Sequence, residues 1–279
     1  MATIVVATGR GVGSFERRVE VPTRVPASTL NEVRSAIDVL TDGHPIAGLG
    51  IASFGPIDLR TSSDTYGELL STPKTGWTGV NVVEEISRDV EAPVGVDTDV
   101  NGAVLAEKHW GAGSHHDHVA YLTVGTGVGG GVWSNGRVLH GANHPEIGHI
   151  RVPRHKDDHY MSSCPFHEDC LEGMASGTAV RERWGARAED LGHLTVSATQ
   201  LEAWYLARGI EGLCAIIPVE LVIIGGGVSK FPGLHDEVAR ALEEASGAYP
   251  PVPFAEGGPT IVAPGLGDDA GVIGAIEFA

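Results

Sequence analysis

Short apolar segments alternate with amphipathic segments of helical length along most of this chain, and this alternation limits its fold more than any other feature. Strand-like apolar runs lie at residues 46–55, 94–97, 118–125, 220–227 and 259–265. Four of these five runs precede a segment with helical periodicity. Because strands that alternate with helices build parallel sheets covered by helices, the pattern predicts an α/β protein.

Turn residues predict two hairpins within this alternation. The runs at 3–9 and 15–23 alternate apolar and polar residues and are separated by a glycine-rich stretch, so we expect them to pair as antiparallel strands. Asn135-Gly136 is a strong signal for a second hairpin turn, between the runs on either side of it.

Cap residues predict where two helices begin. Thr29 and Glu32 stand at the spacing of a capping box, which indicates a helix over 28–43. Asn81 and Glu84 have the same spacing and predict a second helix start. Both helices are expected to turn an apolar face toward the first part of the sheet.

The elements divide into two predicted units with a cleft between them. The first α/β unit covers residues 1–112 and the second covers 113–279. Residues 141–173 lack periodicity and are rich in His, Pro, Asp and Cys, so they form a long loop in the second unit. A loop of this length in a compact domain is expected to be functional or held by a cross-link.

Composition excludes several classes of partner. The chain of 279 residues has a formal net charge of −17 and no basic stripe, which argues against nucleic-acid binding. No apolar run is long enough to cross a membrane and no signal peptide is evident, so we expect a soluble, cytoplasmic protein. Three cysteines do not make a disulfide framework, and metal binding is the first alternative.

Two glycine-rich turns come directly after predicted strands of the second unit. Successive glycines at 125–131 would let backbone N–H groups curl around a phosphate, but an ordinary hairpin would have the same composition. The turn at 225–227 leads from a strand into a helix and is typical of a nucleotide site or of a tight connection. Two such turns in one unit favour a nucleotide.

The long loop carries a candidate metal site. Cys164, His167 and Cys170 have C-x2-H-x2-C spacing, and a histidine further back, His149, completes four ligands suited to zinc. His155 and His159 are alternative ligands, and the alternative without metal is a set of surface residues. Four protein ligands leave no open position for water, so the zinc is predicted to be structural.

A polar cluster separates the strand at 94–97 from a predicted helix at 101–111. Asp97, Asp99 and Asn101 stand there. Helix capping would explain one of them. A carboxylate at a strand end could also accept a proton from a substrate hydroxyl while a neighbouring amide holds a sugar.

Taken together, the chain resembles the ROK family of sugar kinases, and within it the fructokinase branch. The resemblance implies a two-lobed, ribonuclease H-like, actin-type ATPase fold with ATP in the cleft, and a homodimer. The stretch at 71–77 and the histidine between the two cysteines are similar to fructokinases rather than glucokinases. The segments that carry the resemblance are SFGPIDL (53–59), STPKTGW (71–77), DTDVNGA (97–103), VGTGVGGG (124–131), HPEIGHI (144–150), CPFHEDCLEGMASG (164–177) and IIGGGV (223–228).

The resemblance also implies a role for individual residues. Asp99 would be the general base that takes the proton from the sugar hydroxyl during attack on the γ-phosphoryl group, with Mg²⁺ accompanying ATP. The implied sugar-binding residues are Gly55, Pro56, Asn101, Glu146, His149 and Glu172. The implied nucleotide-binding residues are Thr126 and Gly127 for phosphate, with Ser176, Gly177, Gly226 and Gly227 lining the rest of the site.

One part of the family pattern has no counterpart in these residues. Family kinases begin with a strand and an acidic-Gly-Gly-Thr loop that contacts the ATP phosphates, whereas residues 1–13 align with the family segment that comes after that loop. The glycines at 9–13 fall at a hairpin turn and do not replace it. Either the reading frame starts upstream or the chain is defective. We expect an unpaired sheet edge, lower stability and weak catalysis, which an upstream extension would restore.

The leading functional hypothesis is ATP-dependent phosphorylation of fructose at the 6-hydroxyl. Mannose or glucose phosphorylation is the nearest alternative, because the implied sugar-binding residues are shared. A non-catalytic sugar-binding protein is a different class of alternative, which Asp99 opposes and the absent loop favours. A transcriptional repressor is disfavoured because no helix-turn-helix segment precedes the kinase-like region.

Overall fold

The computed structural model describes residues 3–10, 13–246 and 258–279 as nine strands and eight helices. Gly11 and Val12, from the glycine stretch at 9–13, lie outside the described residues. The strands are β1 (Thr3–Thr8), β2 (Arg17–Pro22), β3 (Leu49–Ser53), β4 (Val94–Thr98), β5 (Val119–Val124), β6 (Val128–Ser134), β7 (Arg137–Val138), β8 (Leu221–Gly225) and β9 (Thr260–Val262). The helices are α1 (Pro26–Thr41), α2 (Val82–Ser87), α3 (Asp99–Trp110), α4 (Leu171–Ala175), α5 (Gly177–Trp184), α6 (Thr195–Ile216), α7 (Leu234–Ser246) and α8 (Ala270–Phe278).

The first unit contains two separate two-stranded sheets. β1 and β2 form the predicted antiparallel hairpin, and β3 and β4 pair in parallel. Among the described residues no backbone ladder joins the two sheets, and the predicted unpaired edge stays a prediction. Helix α1 buries Leu30 and Val33 against this unit.

The structure corrects one helix start and confirms another. The predicted capping box at α1 is wrong, because the helix begins at Pro26 and Thr29 instead accepts a hydrogen bond from the backbone N–H of Arg24. Proline suits the first helical position, since its missing N–H would have no helical partner there. The predicted cap of α2 is confirmed: the Asn81 side chain accepts from the backbone N–H of Glu84 at 3.1 Å.

Helix α3 begins two residues earlier than predicted. Its N-cap is Thr98, whose hydroxyl accepts from the backbone N–H of Asn101 at 3.2 Å. Asp99 therefore stands in the first turn, where the helix dipole favours a negative charge.

The second unit is built on a five-stranded sheet in the order β7-β6-β5-β8-β9. β5, β8 and β9 run parallel, and β6 and β7 are antiparallel neighbours joined at Asn135-Gly136, as predicted. Asn135 and Gly136 both have positive φ, which is the backbone that this tight turn requires. The core of the unit lies between this sheet and helices α4–α7.

Helix α8 returns to the first unit. It packs along α3 and over β3, at a distance that only glycines allow. A Cβ at Gly50 would overlap the carbonyl of Ala275, and one at Gly274 would overlap the carbonyl of Gly102. The last helix thus belongs to the packing of the first unit, and the predicted boundary at residue 112 stays a prediction.

The carboxyl ends of four parallel strands point into one cleft. β3 and β4 supply two of them from the first unit, while β5 and β8 supply two from the second. Ligands of α/β proteins bind at such edges, because loops and helix N-termini meet there. Within the described ranges, no helix is long and apolar enough to cross a membrane.

Candidate active site

Asp99 lies at the carboxyl end of β4 and faces the cleft. One carboxylate oxygen accepts from the backbone N–H of Val100 at 2.9 Å, and the side chain remains accessible to solvent on the cleft side. Desolvation by the surrounding protein raises the pKa of Asp99, whereas the Val100 hydrogen bond and the nearby charges of Lys74 and His144 lower it. Asp99 is therefore an accessible carboxylate of increased basicity, which suits a general base.

Lys74 reaches the same cleft from the segment at 71–77. Its Nζ atom lies 3.2 Å from the centre of the Phe54 ring, which in turn packs edge-on against Trp77. Burial lowers the pKa of Lys74, and the charge of Asp99 acts in the opposite direction. The segment carries part of the family resemblance, but its sequence indicates no role for Lys74 itself.

Three of the predicted sugar-binding side chains lie close to one another. Desolvation raises the pKa of Glu146, and the charges of His149, Glu172 and Asp99 all act on its carboxylate. A Cβ at Gly55 would lie 3.4 Å from the Glu146 carboxylate, so glycine leaves that space open. The site thus combines residues of both units around one polar pocket.

Glu172 links this pocket to the first glycine turn. Its carboxylate accepts from the backbone N–H of Val128 at 3.0 Å, and a Cβ at Gly127 would overlap it. The residue lies in the first turn of α4, directly after the predicted metal loop. A change in the predicted metal loop would therefore move Glu172 relative to the glycine turn at 125–131.

Asn143 and His144 join the long loop to the first unit. The Asn143 amide donates to the carbonyl of Ile57 at 2.8 Å and accepts from the N–H of Leu59 at 3.2 Å. The His144 Nε2 atom accepts from the N–H of Ile57 at 3.1 Å. These three hydrogen bonds, which we call the 57–144 junction, position Gly55 beside the pocket. Sequence reasoning missed both residues, because they lie more than 80 positions from their partners.

Asn101 is placed differently from the other predicted sugar-binding residues. Its side chain is fully buried, and its amide donates to Asp97 at 2.7 Å. The other Asp97 oxygen contacts His140 Nε2 at 2.8 Å, and this hydrogen bond raises the pKa of His140. The Asn101 amide therefore holds Asp97 in place, and Asp97 in turn contacts His140. The predicted contact of Asn101 with sugar stays a prediction. Sequence reasoning also missed His140.

The four predicted zinc ligands come together in space. The ligand atoms of His149, Cys164, His167 and Cys170 all lie within 4.8 Å of one another. Cys164 Sγ lies 3.9 Å from His149 Nδ1 and 3.7 Å from His167 Nδ1. Tetrahedral zinc at ordinary bond lengths separates sulfur and nitrogen ligands by about 3.6 Å, so the donor set fits this metal. His155 instead packs edge-on against Trp204.

A buried ionic network anchors the same loop to the second unit. Arg183 of α5 contacts Asp158 at 3.1 Å and Glu202 of α6 at 3.4 Å, and Tyr205 donates to Asp158 at 2.6 Å. Desolvation raises the pKa of Glu202 well above its ordinary value. Burial also acts to raise the pKa of Asp158, but the hydrogen bonds from Tyr205 and Arg183 outweigh it and lower the pKa. We call these four residues the Arg183 network.

The first glycine turn lies against the N-terminus of α5. Gly177 donates its N–H to the carbonyl of Gly125 at 2.7 Å, and the Thr178 hydroxyl donates to the carbonyl of Thr126 at 2.8 Å. Thr126 itself is exposed in the cleft. The buried Ser176 hydroxyl accepts from Ala179 as the N-cap of α5. The structure thus gives Ser176 a capping role, beside its predicted position in the nucleotide site.

The second glycine turn lies next to the first, because β5 and β8 are neighbours in the sheet. Gly226 has a φ of 90° and passes so close to β5 that a Cβ would lie 2.5 Å from the carbonyl of Val124. Gly227 is exposed, and a Cβ added there would have no neighbouring atom within 4 Å. The space beside the Gly227 backbone is therefore open.

Comparisons with known proteins match almost the whole of this chain. The ROK family profile matches residues 2–279. A fructokinase of Zymomonas mobilis is 41% identical over 265 residues, covering 93% of this chain and 87% of the relative. A fructokinase of Pediococcus pentosaceus is 33% identical, covering 99% of this chain and 93% of the relative. A solved ROK family glucokinase of Streptomyces griseus, in complex with glucose and AMPPNP, superposes with a TM-score of 0.77 at 24% identity, covering 100% of this chain and 99% of that one.

Proposed function

Because the chain belongs to the ROK family, and its fold is the two-lobed actin-type ATPase fold, we propose that it is an ATP-dependent hexose kinase whose preferred substrate is D-fructose, phosphorylated at the 6-hydroxyl. The observation that carries the proposal is Asp99, an accessible carboxylate of raised pKa at the junction of the sugar pocket and the glycine turns. The names of the relatives and the fructokinase-like segment at 71–77 favour fructose.

Asp99 accepts the proton of the sugar hydroxyl as the hydroxyl oxygen attacks the γ-phosphoryl group. Phosphoryl transfer depends on positioning and on charge neutralisation, and ATP with Mg²⁺ supplies the phosphoryl group and part of that neutralisation. The protein's part is to hold the hydroxyl beside Asp99 and to keep that carboxylate ionised. Asn101 supports this indirectly, since its amide fixes Asp97 immediately before the catalytic turn.

Glu146, His149 and Glu172 bind the sugar, with Gly55 and Pro56 shaping the opposite wall. His149 serves two purposes: Nδ1 faces Cys164 in the zinc site, while the remaining nitrogen is free to face the sugar. The zinc is structural, because four protein ligands fill its coordination shell. It holds the loop whose end carries Glu172.

The nucleotide lies over the two glycine turns. Thr126 and Gly127 bind the phosphates, and Gly177, Gly226 and Gly227 line the remainder of the site with backbone. Parallel strand ends and the N-terminus of α5 meet there, which is the environment that anions prefer.

Steady-state kinetics with fructose, mannose and glucose in Mg-ATP test the proposal. We expect kcat/KM for fructose to exceed the others by about tenfold or more, which is within reach of differences in a few polar contacts. Preference for glucose or mannose would contradict the substrate but leave the hexose kinase activity. Fructose binding without turnover would instead favour the sugar-binding alternative.

Substitution of Asp99 tests the proposed base. Asp99→Asn keeps the size of the side chain and should lower kcat by about 10²-fold or more, since general base catalysis contributes that much. Asp89→Asn removes an exposed carboxylate in the same unit and should leave kcat unchanged. Equal turnover by the Asp99 variant and the wild type would show that another group takes the proton.

A further inference from the structure

Arg154 joins two parts of the long loop from the protein surface. Its guanidinium donates hydrogen bonds to three backbone carbonyls, those of Tyr160, of Met161 at 2.8 Å and of Glu168 at 3.0 Å. The first two carbonyls precede the ligand segment 164–170, which carries three of the four predicted zinc ligands, and the third lies within it. Because the guanidinium is planar and has several fixed donors, one side chain can hold these carbonyls in a single arrangement.

Ser162 adds hydrogen bonds inside the ligand segment. Its hydroxyl donates to the carbonyl of His167 at 2.8 Å and accepts from the backbone N–H of Cys164 at 3.2 Å. The backbone N–H of Gly173 donates to the Cys170 sulfur at 3.3 Å. Each of the three ligands in the segment is therefore held by a hydrogen bond from the protein that does not involve a metal.

A short backbone ladder brings the fourth ligand, His149, to the same place. The N–H of Val152 donates to the carbonyl of Asp169 at 2.8 Å, and the N–H of Leu171 donates to the carbonyl of Ile150 at 2.9 Å. These two bonds belong to an antiparallel bridge, which closes the base of the loop directly after His149 in the chain.

Hydrogen bonds of the protein alone thus hold all four ligands close together. Resting on the proposed zinc site, we propose that Arg154 is a positioning residue for the metal: its three hydrogen bonds keep the ligand segment in the metal-binding conformation before zinc arrives. Binding to a segment that is already ordered costs less conformational entropy than binding to one that the ion must order. Loss of the guanidinium should therefore lower the affinity for zinc although every ligand is still present.

The zinc affinity of the full chain, measured by competition with a chromophoric chelator, tests this inference. Arg154→Met removes the donors and should weaken zinc binding by about tenfold, since one net hydrogen bond from a charged group corresponds to at least that factor. Lys156→Met is the matched control, because it removes the same charge from an exposed position of the same loop. It should change the affinity by less than about threefold.

Hydrogen exchange in the zinc-depleted protein tests the order of the segment directly. The N–H of Cys164 should be protected in the wild type and should exchange at least about tenfold faster in Arg154→Met, because its partner Ser162 follows the carbonyls that Arg154 holds. The N–H of Leu171, at the base of the loop, should be protected equally in both proteins. Because Arg154 is exposed, we expect the variant to keep its fold, and Leu171 reports this.

Three results would overturn this inference. One is the same zinc affinity, or none, in Arg154→Met and the wild type. Another is a loss of equal size in Lys156→Met, since the charge alone would then explain it. The third is unprotected Cys164 N–H in the zinc-depleted wild type, which would mean that the metal itself orders the segment. None of these measurements needs turnover, so a wild type without kinase activity would refute the proposed function and leave the role of Arg154 standing.

Discussion

Replacing Arg183 by methionine tests how the long loop is held on the second unit. The Arg183 and Asp158 side chains are 7% and 4% exposed, so their charges are withdrawn from water. Burial raises the pKa of Glu202 and hydrogen bonds lower that of Asp158, so Asp158 is the stronger acid of the two and the main counter-charge of Arg183. Arg183→Met would leave Asp158 buried without its counter-charge, and it would also remove the hydrogen bond to the Met174 carbonyl.

The expected loss in free energy of unfolding is about 3 kcal/mol, the lower end of the range for breaking a buried pair. The lower end applies because Asp158 keeps the hydrogen bonds from the Tyr205 hydroxyl and the Tyr160 N–H. Arg183→Met/Asp158→Asn should recover at least about 1 kcal/mol, since it removes the unpaired charge as well.

Urea unfolding followed by circular dichroism measures both values. Arg181→Met is the matched control, because that arginine lies on the same helix with a side chain 56% exposed. It should change the free energy by less than about 0.5 kcal/mol. A loss below about 1 kcal/mol in Arg183→Met, or no recovery in the double variant, would refute the charge balance described for the network.

Three further predictions concern stability, the cleft and the metal. Glu202→Gln should raise the free energy of unfolding at neutral pH but not below pH 4.5, the ordinary pKa of a glutamate. Because the folded protein raises the pKa of Glu202, the wild type loses stability as pH rises, and the glutamine variant does not. Equal dependence of stability on pH in the two proteins, measured by urea unfolding, would contradict this. Asn143→Ala should raise the KM for fructose roughly fivefold by removing two hydrogen bonds of the 57–144 junction, with the KM for ATP as the internal control. Chelation of zinc should weaken fructose binding more than ATP binding in calorimetry, because Glu172 comes directly after the metal loop; equal losses for both ligands would argue against this link.

Periodicity and turn chemistry were sufficient to predict most of the elements from the sequence. The Asn135-Gly136 hairpin and the Asn81 cap are examples, since each depends on residues only a few positions apart. The start of α1 was wrong because Pro26 and Thr29 offer competing local signals, and the proline determines where the helix begins. Local patterns therefore fail where two of them overlap.

The candidate site was predictable where ligands share one segment or one motif. Cys164, His167 and Cys170 were found by spacing, and the structure brings them to His149. Asn143 could not be found in this way, because its hydrogen bonds join it to residues more than 80 positions away in the chain. Asn101 is the opposite case, because its motif was recognised but its side chain is buried. Its amide donates a hydrogen bond to Asp97 inside the protein.

The 57–144 junction also limits how the two units can move. Asn143 and His144 make three hydrogen bonds to the backbone at 57–59. A sliding motion of the units would break these bonds, whereas a rotation about them would not. The junction therefore opposes sliding of residues 57–59 past residues 143–144, and a relative motion of these two segments that keeps all three hydrogen bonds must be a small rotation about them.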